Sequence, residues 1–188
     1  MSRPQMFLIA GVNGSGKSTF TKTVIRKHPT LKIIDPDAIA KSITGSFATI
    51  DAEQVSAGKS ALLTVQQCIQ RKQSFIVEST ISGRVYLRYL KQAKDNGFKT
   101  ILIYVALESA EMSAARVAAR VSHGGHNIPV ADIKRRYPKS FENLKPHLQL
   151  CDLAYIYDNS TEYNLVAAYR DGLIHRQKDL PSFLRKYL

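Results

Sequence analysis

Short apolar runs alternate along this chain with segments in which apolar residues recur every three or four positions. The short runs are typical of buried strands, and the other segments are typical of helices with one apolar face. The predicted strands are residues 6–10, 31–34, 74–77, 100–106 and 153–157. The predicted helices are residues 17–27, 38–43, 51–72, 84–95, 109–121, 129–143 and 181–188. This alternation predicts an α/β fold in which a parallel five-stranded sheet carries helices on both faces.

The predicted sheet also indicates where a ligand would bind. Residues 1–188 are long enough for one domain with a proper core, and no linker or repeat divides them. Ligands of such sheets bind beyond the carboxyl ends of the strands. The polar groups that follow the predicted strands are therefore the candidate site residues. They are the loop 11–18, Asp35 and Asp37, Glu78 with Ser79 and Thr80, and Asp158 with Asn159 and Ser160.

The loop after the first predicted strand, GVNGSGKS, fits the phosphate-binding pattern G-x-x-x-x-G-K-[ST] of P-loop proteins. Its glycines let main-chain N–H groups close around an anion, and the following helix directs its positive end at the same anion. Lys17 is expected on the β- and γ-phosphates of ATP, and the Ser18 hydroxyl on Mg²⁺. A glycine-rich turn without a ligand is disfavoured because every fixed position matches. The predicted nucleotide-binding residues are Gly11, Asn13, Gly14, Ser15, Gly16, Lys17, Ser18 and Thr19.

Two acidic positions could face the loop from neighbouring strands. Asp37 could accept the proton of a substrate hydroxyl beside the γ-phosphate. The same Asp35-Pro36-Asp37 segment also suits a helix start, with Asp35 as the N-cap, and the two interpretations are compatible. Glu78 could hold Mg²⁺ or its water, or bind substrate hydroxyls. The alternative for Glu78 is a carboxylate that caps nearby N–H groups.

The segment 116–136 is predicted to form a lid. Its arginines, Arg116, Arg120, Arg135 and Arg136, flank a glycine-rich loop that contains His123 and His126. Such arginines could close over the phosphates and neutralise transition-state charge, or they could simply solubilise the surface. The two histidines are too sparse to predict a metal site. The segment 158–160 could line the adenine end of the site or form a turn.

Composition favours anionic partners. The chain carries a net charge of +12, which ATP together with a phosphorylated or nucleotide-linked substrate would match. Nucleic acid is disfavoured because the basic residues are spread along the chain without a nucleic-acid-binding motif. No apolar run is long enough to span a bilayer, so no membrane partner is expected. Only two cysteines occur, Cys68 and Cys151, in no metal-ligand spacing, which favours a reducing cytoplasmic setting.

Taken together, these segments resemble the zeta toxin family of P-loop kinases. The matching pieces are GVNGSGKST at 11–19, IDPDAIA at 34–40, FIVESTISG at 75–83, the arginine-containing helix that ends near Arg120, and GGHNIP at 124–129. The resemblance covers about residues 5–160. Members of this family are bacterial proteins of toxin–antitoxin systems that phosphorylate UDP-N-acetylglucosamine at the 3′-hydroxyl of the sugar.

The resemblance implies roles for particular residues. The P-loop lysine of the family falls on Lys17, its catalytic base on Asp37, and its acceptor-binding E-x-T on Glu78 and Thr80. One of its two lid arginines falls on Arg120. Alignment on the proline of GGHNIP places His126 at the position of the other lid arginine, and Arg135 or Arg136 could substitute for that arginine in space. The GGHNIP segment looks like that of a compact subgroup of the family.

The implied activity is transfer of the ATP γ-phosphate to UDP-N-acetylglucosamine, with ATP and Mg²⁺ as cofactors and an antitoxin as a protein partner. Three alternatives stay open on the sequence. One is a kinase that acts on another small molecule, such as a different sugar nucleotide, a nucleoside or a metabolite alcohol. The second is a nucleic-acid-binding P-loop ATPase. The third is a toxin-like scaffold that an antitoxin binds.

Overall fold

The computed structural model describes residues 3–36, 39, 51–125, 127–177 and 179–188, and for residues 51–55 the backbone alone. The strands in these ranges are β1 (Gln5–Gly11), β2 (Lys32–Ile34), β3 (Phe75–Ser79), β4 (Lys99–Ala106), β5 (Leu153–Asp158), β6 (Asn164–Arg170) and β7 (Leu173–Gln177). They form one seven-stranded sheet in the order β2-β3-β1-β4-β5-β6-β7. The first five strands pair in parallel. This arrangement confirms the predicted α/β class with a mostly parallel sheet.

Strands β6 and β7 were not among the five predicted strands. Both pair antiparallel and extend the sheet beyond β5. Asp171 and Gly172 join them with φ angles of 50° and 76°. Positive φ at both central residues is typical of the type I′ turn, whose twist suits a two-residue hairpin. The predicted five-stranded sheet is therefore the parallel part of a larger mixed sheet.

The helices in the same ranges are α1 (Lys17–Lys27), α2 (Asp51–Gln70), α3 (Val85–Asp95), α4 (Ala110–Val121), α5 (Val130–Glu142), α6 (Leu144–Leu150) and α7 (Ser182–Arg185). The single helix predicted over 129–143 corresponds to α5, and the separate α6 after Asn143 was not predicted. The C-terminal helix is shorter than the predicted 181–188. Apart from Ile39, the helix predicted over 38–43 lies outside the described residues.

The core lies on both faces of the sheet. Alternate residues of a strand face opposite sides, so Met6 and Leu8 of β1 enter the larger hydrophobic cluster with residues of α2, α3 and α6. Phe7 and Ile9 enter a smaller cluster with Val24 of α1. Burial on both faces explains why β1 is a continuous apolar run. Among the described residues, no helix has the length and apolar character needed to cross a bilayer.

Candidate functional site

The loop between β1 and α1 has the backbone geometry of a phosphate-binding loop. Gly11 has a φ of 139°, and a Cβ there would collide with the carbonyl oxygen of Val105 in β4. Gly16 is the N-cap of α1 with a φ of 94°. The Lys17 Nζ donates to the carbonyl oxygens of Gly11 at 3.1 Å and Val12 at 2.9 Å. The ammonium group is therefore folded over the loop at the N-terminus of α1, where an anion would bind.

Three side chains from distant parts of the chain fasten this loop, and we call them the P-loop clamp. Ser113 of α4 donates its hydroxyl to the Asn13 carbonyl oxygen at 2.5 Å. Asn159 donates its Nδ2 to the Ser15 carbonyl oxygen at 2.8 Å, and Tyr163 donates its hydroxyl to the Gly16 carbonyl oxygen at 2.7 Å. The clamp therefore fixes the carbonyl groups of three loop residues, Asn13, Ser15 and Gly16.

Of the three clamp residues, the sequence indicates only Asn159. Asn159 was a candidate because it follows the fifth predicted strand, and the structure places it on the loop. The 158–160 segment is also the expected turn, since Asp158 Oδ1 accepts from the Ser160 N–H at 2.9 Å and from its hydroxyl at 2.6 Å. Ser113 and Tyr163 lie 100 and 147 residues from their partners, and no local pattern signals such contacts.

The Ser18 hydroxyl and the Glu78 carboxylate meet beside the loop. Ser18 donates to Glu78 Oε2 at 2.9 Å, because β1 and β3 are adjacent and Glu78 pairs with Ile9. Glu78 is 7% exposed. Burial raises its pKa, and the nearby Asp35 carboxylate raises it further, against the effect of Lys17 and the hydroxyl of Ser18. A hydroxyl oxygen and a carboxylate oxygen thus lie together, and oxygen ligands are the type that hard cations such as Mg²⁺ prefer.

A turn at residues 79–84 continues from this acid, and we call it the 79–84 turn. The Ser79 hydroxyl accepts from the Ile81 N–H at 3.0 Å. The Thr80 Oγ1 lies 3.0 Å from the Ser82 Oγ. The turn therefore carries three hydroxyl groups at the carboxyl end of β3, next to the strand that leads into the P-loop.

The predicted lid residues have mixed placements. Arg116 Nη2 donates to the Ser160 carbonyl oxygen at 2.8 Å and so joins α4 to the loop after β5. Arg135 and Arg136 both pair with Asp132, at 2.6 and 3.4 Å, and the hydrogen bond from Arg135 lowers the pKa of Asp132.

Arg120 lies in the last turn of α4, where its carbonyl oxygen accepts from the N–H groups of His123 at 3.2 Å and Gly125 at 3.0 Å. Asp37 and His126 lie outside the described residues. In the part of the chain that is described, no group of three or more His, Cys, Asp and Glu side chains could hold a metal ion.

The fold and the loop together define a P-loop protein with a kinase-like α/β fold. The family model described as an AAA domain matches residues 6–140, and the chain belongs to that family. A protein of Haemophilus influenzae described as "uncharacterized protein" is 35% identical over 127 residues, which cover 68% of this chain and 88% of that relative.

Solved structures share the fold at low sequence identity. A chain from the PezAT chromosomal toxin–antitoxin system of Streptococcus pneumoniae has a TM-score of 0.68 and 15% identity, and the match covers 100% of this chain and 79% of that chain. A chain of the AvrRxo1-ORF1:-ORF2 complex with ATP has a TM-score of 0.70 and 18% identity, with 92% of this chain and 60% of that chain covered. At such identities the likeness shows the fold alone.

Proposed function

We propose that the protein is an ATP-dependent kinase of the zeta toxin type, which transfers the γ-phosphate of ATP to a hydroxyl of UDP-N-acetylglucosamine. The observation that carries the proposal is the contact between Ser18 and Glu78, 2.9 Å long. It brings the P-loop hydroxyl against a buried acid that is followed directly by the hydroxyl-bearing 79–84 turn. In this proposal the P-loop is the donor half of the transfer site, and the 79–84 turn belongs to the acceptor half.

The donor half would bind ATP through the main-chain N–H groups of residues 11–19 and the ammonium of Lys17. The ATP-bound neighbour noted above supports this assignment at the level of the fold. The Ser18 hydroxyl and the Glu78 carboxylate have the oxygen chemistry that suits Mg²⁺. When bound, Mg²⁺ would neutralise negative charge on the phosphates. The contact with Ser18 supports a role for Glu78 on the metal side, in addition to the acceptor role that the resemblance implies.

The acceptor half is assigned from the resemblance. Asp37 would take the proton of the acceptor hydroxyl while the oxygen of that hydroxyl attacks the γ-phosphorus. The bond from the γ-phosphorus to the β–γ bridging oxygen then breaks, and ADP leaves. Glu78, Thr80 and His126 would contact the acceptor. Arg120, within a lid-like segment at 116–136, would stabilise charge on the transferring group. The net charge of +12 suits an anionic nucleotide-sugar, and the PezAT likeness is consistent with a protein antitoxin as partner.

A panel of acceptors tests the proposal. The purified protein is incubated with Mg²⁺, ATP labelled at the γ-phosphate and separate acceptors: UDP-N-acetylglucosamine, other sugar nucleotides, nucleosides and small alcohols. We expect the label on UDP-N-acetylglucosamine, with loss of labelling in a Lys17→Met control. Label on another compound instead would exclude UDP-N-acetylglucosamine as the acceptor but would keep the kinase activity. ATP hydrolysis that is stimulated by DNA or RNA, without any labelled acceptor, would favour a nucleic-acid-dependent ATPase.

A further inference from the structure

The 79–84 turn contains a residue in an unfavourable backbone conformation. Ile81 has a φ of 46°, which is in the left-handed region that β-branched residues avoid. Such a conformation persists where surrounding contacts enforce it, and it is often found at functional sites. The Ile81 side chain is 1% exposed and packs in the larger hydrophobic cluster with Phe141 and Leu144. The buried side chain of Ile81 therefore anchors the turn in the core, and hydrogen bonds from Asn143 and Ser140 hold two of its carbonyl groups.

Asn143 holds the carbonyl group of this residue. Its Nδ2 donates to the Ile81 carbonyl oxygen at 2.9 Å, and its Oδ1 accepts from Arg84 Nε at 3.4 Å. Asn143 is 7% exposed and lies at the junction of α5 and α6. Its own carbonyl oxygen lies 2.6 Å from His147 Nδ1, and a carbonyl can only accept, so Nδ1 carries the proton. One buried amide thus spans the turn from Ile81 to Arg84.

Ser140 holds the neighbouring carbonyl group. Its hydroxyl donates to the Thr80 carbonyl oxygen at 2.6 Å and lies 3.0 Å from the Tyr104 hydroxyl. Because the single hydroxyl proton of Ser140 is directed at Thr80, Tyr104 is the donor in the second contact. Burial raises the pKa of Tyr104 well above its ordinary value, so the phenol stays protonated. Residues near the end of α5 therefore fix two successive carbonyl groups of the turn.

We propose that Asn143 and Ser140 are positioning residues that hold the 79–84 turn in the conformation that binds the phosphate acceptor. The inference rests on the proposed function, because it takes the Thr80 side chain as an acceptor contact. With its backbone fixed, the Thr80 hydroxyl keeps one direction, and its contact with Ser82 restricts it further. Positioning of this kind matters because displacement of a reacting group by about 1 Å can cost a hundredfold in rate.

Two variants and a matched control test the proposal. Asn143→Ala removes two hydrogen bonds to the turn, with Ile81 and Arg84, and Ser140→Ala removes one, with Thr80. Neither substitution touches the P-loop clamp. Thr100→Val is the control, because Thr100 lies at the amino end of β4, away from the carboxyl ends of the strands where the site lies. The substitution removes a buried hydroxyl that contacts the Leu150 carbonyl oxygen at 3.4 Å and Asp152 Oδ2 at 3.2 Å. We expect kcat/KM for UDP-N-acetylglucosamine to fall about 10- to 100-fold in both variants, with the KM for ATP within about twofold of wild type. The control should match wild type in both constants.

Hydrogen exchange separates positioning from a general loss of stability. In Asn143→Ala, the amides of residues 79–84 should exchange about tenfold faster or more, while those of residues 11–18 keep their wild-type rates. Ser140→Ala serves the same purpose if Asn143→Ala does not fold. Wild-type kcat/KM in both variants would overturn the inference, as would a kinetic loss without faster exchange in the turn. A wild-type protein that labels no acceptor would instead overturn the proposed function, and the inference with it.

Discussion

Removal of the Asn159 side chain gives a direct test of the P-loop clamp. Asn159 is 8% exposed and donates to the carbonyl oxygen of Ser15, a residue with no solvent exposure. Asn159→Ala therefore leaves a buried acceptor without its partner, which costs about 1–3 kcal/mol. If this cost falls on the loop conformation that binds ATP, the Kd for ATP rises about 5- to 150-fold. Tyr163→Phe removes the hydroxyl of an exposed tyrosine, so we expect a smaller effect, about 0.5–1.5 kcal/mol.

Isothermal titration with a non-hydrolysable ATP analogue measures the change in Kd, and urea denaturation measures the free energy of unfolding. Asn96→Ala is the matched control, because Asn96 is exposed and its side chain bonds the Gln92 carbonyl oxygen at 2.9 Å and Lys72 Nζ at 3.5 Å, neither of which belongs to the P-loop or its clamp. The control should bind the analogue with wild-type affinity. If Asn159→Ala also binds the analogue as wild type does while its unfolding free energy falls, the clamp stabilises the fold and does not shape the nucleotide site.

Three further predictions follow from single residues. Glu78→Gln should raise the free energy of unfolding at pH 7 and change it little below pH 4. The reason is that the pKa of Glu78 is raised above 4.5 in the folded protein, so its charged carboxylate destabilises the fold as pH rises. Urea denaturation across pH measures the effect, and an equal gain in stability at both pH values would contradict it. Gly11→Ala should cost about 4 kcal/mol or more, or prevent folding, since its Cβ would meet the Val105 carbonyl; urea denaturation with near-wild-type stability would refute it. Asp37→Ala should abolish phosphoryl transfer while ATP still binds, and near-wild-type turnover would exclude Asp37 as the base.

The parallel part of the fold was readable from the sequence because burial leaves a simple pattern. Strands covered on both faces must be continuously apolar, as in β1 and β4, and the P-loop must keep glycine where the backbone approaches another strand. Because ligands of parallel sheets bind beyond the carboxyl ends of the strands, the residues that follow β3 and β5 were also candidates, among them Glu78 and Asn159. These features follow from local chemistry, so a single sequence reveals them.

The β6–β7 hairpin was missed because β7 lacks that pattern, although β6 carries the apolar run 165–169. The centre of β6 relies on the small residues Ala167 and Ala168, and every residue of β7 is exposed. The Asp171-Gly172 pair was the available signal, since Asp-Gly between two strands favours a type I′ turn.

The other two residues of the P-loop clamp, Ser113 and Tyr163, and the contacts of Asn143 could not be predicted in this way. Tyr163 and Gly16 are 147 residues apart, and Asn143 and Ile81 are 62 apart. Their meeting depends on the whole arrangement of sheet and helices, and a Tyr or Asn in a polar segment has many other uses. The strained φ of Ile81 is equally invisible, because isoleucine is a residue that local propensity would not place there.

Phosphorus NMR of the reaction mixture shows directly whether the γ-phosphate moves to an alcohol oxygen. With ATP, Mg²⁺ and UDP-N-acetylglucosamine, we expect a new phosphomonoester resonance that grows in step with ADP and does not appear with Lys17→Met. Formation of ADP and inorganic phosphate alone, with the UDP-N-acetylglucosamine resonances unchanged, would contradict it.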